Sequence, residues 1–552
     1  MAAPPHDHGG RLRVLRTEHV TPSSTGDDAD ALSERALPLT YLDAKWLHFK
    51  PVERLFLYRL APGAAVHGVL SHLADSLSRA LRAFYPLAGR IRLAPGKTDR
   101  YELFYQPGDA VAFTVAEHDG AGVDELATDD PREVATITPL ATVLLGLRPA
   151  APRVLALGVT VHHAACDGAS STHFLHTWAA SACAAGGNVP PEPPVMDHSF
   201  IVDRKDIHDL FAAPRAQKGF DSPDAMDRLV ATYALSSAQL QSIKDAVAGE
   251  AARRGVVPPP RCTYGVMWLC HLRATHGHNN DGGHDDGGGR AYFLFVTDHR
   301  RRMEGRVPSR YFGNCVGPCY ASMPRMAAAT ATVTDGVFTA CSAVAAAIDE
   351  AVHGETGYWG EVPRAHRRGE KGRRAVLGGW VAEVPRVRRR LRFGTPAKVE
   401  IASVAKTGAM SVAEGRGGSG GIEVGIALPP EHMGRKSRGV ARHEIGEGAE
   451  AQRDARSEEP RHGAMWGRRQ LIPYSDIACR LLPSRRHPVG RLLPFQCRPF
   501  VYSRRNDNRQ EEKRGDEGGG GGGEGEVEGT EGEKVEETER REELIKGEEV
   551  GL

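Results

Sequence analysis

The chain has 552 residues, with 71 Lys and Arg against 70 Asp and Glu, for a formal net charge of +1. That balance excludes a protein whose main partner is a polyanion, and the length supplies core for more than one domain. Nine cysteines without paired spacing suit a reducing compartment, and residues 1–11 carry no apolar leader, so a cytoplasmic protein without signal peptide or membrane span is expected.

Apolar residues at helical spacing predict a helix over 69–84. Val154-Leu155-Ala156-Leu157-Gly158-Val159-Thr160-Val161 has period two and predicts a strand that puts Leu155, Leu157, Val159 and Val161 on one face. If it continues, His163 shares that face and His162 points the other way. Ser170 and Ser171 then offer caps to a helix whose stripe is Phe174, Leu175 and Trp178. Pro190-Pro191-Glu192-Pro193-Pro194 breaks both helix and strand and starts a connector. Residues 1–190 thus read as a first domain, 191–228 as a crossover and 229–433 as a second domain.

In the second domain, Ser236 or Ser237 caps a helix starting at Ala238, a buried helix spans Thr263 to Ala274, and Tyr292 to Val296 is a strand delivering Asp298 and Arg300. The Gly-, Asp- and His-rich loop 276–289, with His276, His278 and His284, reads as a solvated insertion and not as a metal site. Residues 360–392 turn arginine-dense and lose apolar period. Residues 434–552 have the composition of a disordered tail, Gly518 to Gly523 included.

His162-His163-Ala164-Ala165-Cys166-Asp167-Gly168, at the strand end, has the residues of a general base followed by a braced turn. Imidazole suits the proton transfer because its ordinary pKa lies near neutral pH. Asp167 admits two roles, orienting His163 as in a triad or bracing the turn with its charge. Cys166 admits a covalent role or that of a small buried residue.

This His-x-x-x-Asp-Gly pattern resembles the signature of the plant BAHD acyltransferases, enzymes of secondary metabolism. Other segments are similar to that family in order: Leu37 through Trp46 as an opening strand, Phe84-Tyr85-Pro86-Leu87-Ala88-Gly89-Arg90 at the first helix end, and Thr297-Asp298-His299-Arg300. Tyr311-Phe312-Gly313-Asn314-Cys315 resembles a motif of the branch acylating anthocyanin and phenolic glucosides. Pro396 to Glu400 and Gly421 to Val424 look like closing strands.

The resemblance implies an α/β protein of α+β type, a two-domain chloramphenicol-acetyltransferase-like fold with mixed sheets flanked by helices. It implies a monomeric acyl-CoA-dependent O-acyltransferase, with malonyl- or hydroxycinnamoyl-CoA as co-substrate, a phenolic glycoside as acceptor, and neither bound cofactor nor metal. His163 would be the catalytic base. Asp167, paired with Arg300, would support the site with Gly168 and Asp298. Thr40, Tyr311, Phe312, Gly313, Asn314, Phe393, Gly394 and Thr407 would line the channel, and Arg300, Arg301 or Arg302 would meet a malonyl carboxylate.

The doubled histidine also resembles peptide-synthetase condensation domains, although no carrier serine motif accompanies it. The chain departs from the BAHD pattern at Arg390-Leu391-Arg392-Phe393-Gly394, where Asp-Phe-Gly-Trp-Gly, often with Phe for Trp, is expected. Restoring one base after the third arginine codon of cgt-cga-ctt-cgg-ttc-ggg gives Val-Asp-Phe-Gly-Phe-Gly, so the stretch reads as translated out of frame. A catalytically impaired relic or a binding protein of the same fold is therefore the alternative.

Overall fold

The computed structural model describes residues 12–24, 32–60, 66–118, 123–142, 154–183, 191–213, 225–259, 262–276, 289–303, 307–325, 332–353, 381–384, 394–416, 420–433 and 495–496. Residues 277–288 of the expected loop 276–289, most of 360–392 with Arg390 and Phe393, and nearly all of 434–552 lie outside these residues. No described helix is long and apolar enough to cross a membrane.

The protein is a two-lobed α/β molecule of mixed sheets flanked by helices. Helix Val66–Ala83 buries Leu70, Leu73, Leu77, Ala80 and Leu81, a stripe with the period of one helical face. Pro86 ends it in a single turn, Tyr85–Leu87. Gly89 follows where the chain crosses its neighbour closely, since a Cβ there would sit 2.3 Å from the Phe104 carbonyl oxygen.

The strand Val154–Val161 runs antiparallel to Val52–Arg59. Leu155, Leu157, Val159 and Val161 join Phe56 and Tyr58 in the largest apolar cluster, while Ala156, Leu55 and Leu57 fill a second cluster on the other face. Period two thus becomes two buried faces, as expected for a strand inside a covered sheet. Val52–Arg59 pairs on its other edge with Lys398–Ile401, and Phe495–Gln496 adds a short parallel pairing to Val159 and Thr160.

The larger sheet has seven strands in the order Val316–Pro324, Arg290–Asp298, Val381–Val384, Met410–Glu414, Ile422–Leu428, Leu229–Leu235 and Arg132–Glu133. Helices Cys262–His276 and Val333–His353 pack together on it, and Trp268 stacks on Phe293 at 5.4 Å between centroids. Val381–Val384, inside the arginine-dense stretch, lies between two strands of this sheet and runs parallel to both. Helix Ser237–Arg254 is capped by Ser236, whose hydroxyl accepts from the Gln239 amide while the Gln239 side chain answers at the Ser236 amide.

Each lobe lends a strand to the other. Arg132–Glu133 from the first part of the chain closes one edge of the large sheet, and Lys398–Ile401 from the second part closes the sheet that carries Val154–Val161. Buried charges fasten this crossing. Arg132 pairs with Glu400, and Lys398 lies 3.1 Å from Glu400 and 2.9 Å from Asp129. Burial alone would raise the Glu400 pKa, but Lys398 and Arg132 more than offset it and hold the carboxyl at about 2.

Candidate active site

Leu37 through Trp46 is not one opening strand. The strand Arg35–Pro38 stops at its proline, and Tyr41–Ala44 forms a helical turn, because Thr40 and Asp43 have the spacing of a capping box and use it. Thr40 donates to Asp43 Oδ2 through both its amide, at 2.9 Å, and its hydroxyl, at 2.6 Å.

The strand carrying the histidines also ends earlier than alternation suggests. It stops at Val161, and the Ala165 amide closes a turn onto the His162 carbonyl at 2.9 Å. His162 is buried with its Nδ1 accepting from the Ala164 amide, and burial, then the neighbouring His163 and His48, lower its pKa to about 4. Asp167, not Ser170 or Ser171, caps the helix Gly168–Ala182, because its carboxylate reaches the Ser170 amide at 2.9 Å. Ser170 Oγ instead lies 3.0 Å from the Tyr311 carbonyl oxygen and 3.1 Å from that of Gly313.

Among the described residues, no histidine hydrogen-bonds the Asp167 carboxylate. Its Oδ1 accepts from the Ser170 amide and from Arg300, and its Oδ2 accepts from the Cys315 amide and sits 2.9 Å from Arg300 Nη2. Arg300 also holds Asp298 at 2.9 Å. Burial would weaken its charge, but Asp167 and Asp298 more than reverse that. Arg300 is therefore engaged within the fold, Arg301 is exposed, Arg302 donates to the Asp298 carbonyl, and no described contact joins any of the three to the His163 ring.

The partner of His163 is Asn314. His163 Nδ1 lies 3.0 Å from Asn314 Oδ1, and Asn314 Nδ2 donates to the His163 carbonyl at 2.8 Å and to Asp43 Oδ1 at 2.9 Å. Two acceptors thus fix which end of the amide faces the ring. The Asn314 backbone amide also donates to Asp43 Oδ1, at 2.8 Å. A chain of hydrogen bonds therefore runs from Thr40 through Asp43 and Asn314 to His163. The imidazole stacks on Trp46, 3.7 Å between centroids and 11° from parallel. Burial pushes the His163 pKa down to about 4, and the Lys45 charge adds to the shift against the pull of Asp167 and Asn314.

Only Asn314 of the expected channel residues touches His163 among the described contacts. Tyr311 is packed with Tyr41, Leu42, Ile201 and Ile207, and Phe312 is enclosed with Phe84, so both are buried among core side chains. Gly313 has φ +140, and a Cβ there would press on the Tyr311 ring at 2.9 Å and on His198 at 3.0 Å. Its carbonyl receives the Asp167 amide. Thr40 acts through Asp43. Thr407 donates to the Val404 carbonyl within its own helix, Gly394 has φ +118 with open space around it, and Phe393 lies outside the described residues.

Sequence reasoning passed over Asp43, Lys45, His198 and Arg54. Arg54 is buried and donates to Ser171 and Thr172 beside the Asp167 helix start. His198 spans the Pro38 and Phe312 carbonyls with its two ring nitrogens, at 2.6 and 2.7 Å. The Pro-rich connector also returns to the site, for Val195 bridges Arg310 and Phe312 through its backbone. Of these, only Asp43 carried a local signal, the Thr-x-x-Asp spacing.

A neutral imidazole whose Nδ1 is engaged by an amide oxygen presents Nε2 as its basic nitrogen, which equips the site for proton abstraction. The family model named Transferase family matches residues 12–437. Phenolic glucoside malonyltransferase 1 of Arabidopsis thaliana is 28% identical over 475 residues, covering 76% of this chain and 95% of that protein. The malonyl-coenzyme:anthocyanin 5-O-glucoside-6'''-O-malonyltransferase of Salvia splendens is 25% identical, covering 76% and 93%. Among solved structures, vinorine synthase superposes with a TM-score of 0.54 at 15% identity, over 77% of this chain and 96% of that one.

Proposed function

The chain belongs to the Transferase family, the BAHD acyltransferases, and from that premise we propose that it moves a malonyl group from malonyl-CoA to a sugar hydroxyl of a phenolic or anthocyanin glucoside, with His163 as general base. Relatives whose names state malonyl transfer to such glucosides support the substrate pair. The observation that carries the mechanism is the His163–Asn314 contact at 3.0 Å.

At pH 7 a histidine with a pKa of about 4 is neutral. Nδ1 holds the ring proton and donates it to Asn314 Oδ1, which leaves the Nε2 lone pair for the acceptor hydroxyl. As Nε2 takes that proton, the hydroxyl oxygen attacks the thioester carbonyl carbon and a tetrahedral oxyanion forms. Its collapse breaks the carbon–sulfur bond, and the imidazolium returns the proton to the coenzyme A thiolate, so the base is regenerated. Such a base typically contributes on the order of 10²- to 10⁴-fold in rate.

The test is the purified full chain with malonyl-CoA and a panel of phenolic and anthocyanin glucosides, read by release of thiol and by the mass of the product. Malonylated glucoside is expected. Binding of both substrates without turnover would instead indicate a catalytically silent protein of this fold.

A further inference from the structure

Two neighbours of the His163 imidazole are held by one short stretch of chain. Asp43 receives the Trp46 amide on its backbone carbonyl, at 3.0 Å, and its carboxylate receives the Asn314 side chain, at 2.9 Å. The turn that follows Tyr41–Ala44 therefore delivers both the stacking partner of the ring and the brace of its Nδ1 partner. Trp46 is buried, and the Phe49 ring meets its indole at 65°, 5.0 Å between centroids, which restrains the indole from turning. The stack on His163, 3.7 Å between centroids and 11° from parallel, is nearer to a face-to-face sandwich than two neutral aromatic rings favour. Their quadrupoles prefer offset or edge-on contacts with centroids about 4.5–7 Å apart. A cation over an indole face is instead attracted by that quadrupole. The geometry thus suits an imidazolium better than the neutral resting ring. Nitrogen lone pairs lie in the ring plane, so a cover on the face does not obstruct a proton arriving at Nε2.

We propose that Trp46 is a positioning residue for the base, and that its π face stabilises the positive charge His163 acquires in the transition state. This rests on the acyl-transfer reading above. As the acceptor hydroxyl gives its proton to Nε2, the O–H electron pair stays on oxygen for the attack on the thioester, and the ring becomes a cation. The indole attracts that cation more strongly than the resting ring, and an interaction stronger in the transition state than before it lowers the barrier. Burial disfavours the cation, the Lys45 charge adds to that, Asp167 and the Asn314 hydrogen bond oppose it, and His162 is the neighbouring titratable ring. The π face acts alongside these charges and is strongest where water is kept out.

The experiment places mono-, di- and trifluorotryptophan at position 46 of the full chain. Fluorine draws charge from the π face but scarcely changes the size of the ring, so packing is kept while the attraction fades stepwise. Histidine ring NMR follows the His163 titration from neutral pH to the onset of acid unfolding, with His163→Gln to assign the signal, and malonyl transfer to a glucoside is measured beside it. Each added fluorine is expected to move the titration to lower pH and to reduce kcat, by about threefold or more over the series, with KM unchanged. Trp46→Phe is expected to keep more of kcat than Trp46→Leu. A His163 titration indifferent to the fluorine count overturns the proposal, because a purely steric platform behaves in that way. A titration that moves in a chain that acylates no glucoside upholds the stacked cation and removes the transferase reading. A fixed titration with malonylated product at every fluorine content does the reverse.

Discussion

Asp167 and Arg300 form a buried ion pair, 2.9 Å apart, that joins the start of one lobe's helix to the end of the other lobe's strand. Both carboxylate oxygens are occupied within this junction, so the aspartate organises the site without touching the imidazole. Asp167→Ala or Arg300→Met alone leaves a buried charge without its partner and is expected to cost about 3–5 kcal/mol. The double variant is expected to cost less than the two single losses combined, by about 0.5–3 kcal/mol. Denaturant midpoints of the four proteins check this, and strict additivity would contradict a direct pair.

His163→Gln keeps a polar side chain of similar reach but removes the base. Its kcat is expected to fall by about 10²- to 10⁴-fold, with an unchanged circular dichroism spectrum. Activity near the wild-type level would move the base to another residue.

Asn314→Ala removes the Nδ1 acceptor and one of the two Asn314 donors that Asp43 Oδ1 receives, leaving the backbone amide in place. Leaving those buried groups short of partners is expected to lower stability by about 1–3 kcal/mol. The catalytic loss should appear in kcat more than in KM, because the amide holds the base and not the substrate. A pure KM effect would place Asn314 against the ligand.

Acidification should act on the fold before it acts on the base. His162 and His163, with pKa values of about 4, and His299, at about 3, are each lowered chiefly by burial from an ordinary 6.5. Below pH 6.5 the unfolded chain takes up protons that the folded chain refuses, so stability is present above that pH and declines as pH falls toward 4. Melting temperature should therefore drop across this window. The acid limb of kcat/KM should lie near pH 4, and a limb at 6.5 would show that the ring titrates as if exposed.

Local pattern revealed much of this architecture. Alternation in Val154–Val161, the cap at Ser236, one of the two serines expected there, and the helical stripe before Pro86 are each decided by neighbours in sequence, and each formed. The helix start at Asp167 was displaced because Asp and Ser compete for the same amides, and the serine was taken by carbonyls of the Tyr311–Gly313 segment. The contacts around His163 could not be read locally. Asn314 comes from 151 positions away and is itself held by Asp43 from 271 positions away. Their meeting depends on how two lobes dock, a property that spacing within either segment does not encode. The same holds within the Tyr311–Cys315 motif: Tyr311 and Phe312 are buried in the core, and Asn314 is the residue whose side chain reaches the ring.

The exchanged strands mean that neither lobe is a self-sufficient folding unit. A chain severed in the proline-rich connector would yield two fragments, each with a row of unanswered amides and carbonyls along one sheet. Produced singly, such fragments should aggregate. Produced together, they should reconstitute, and any recombination between relatives would have to carry residues 132–133 and 398–401 with the partners they complete.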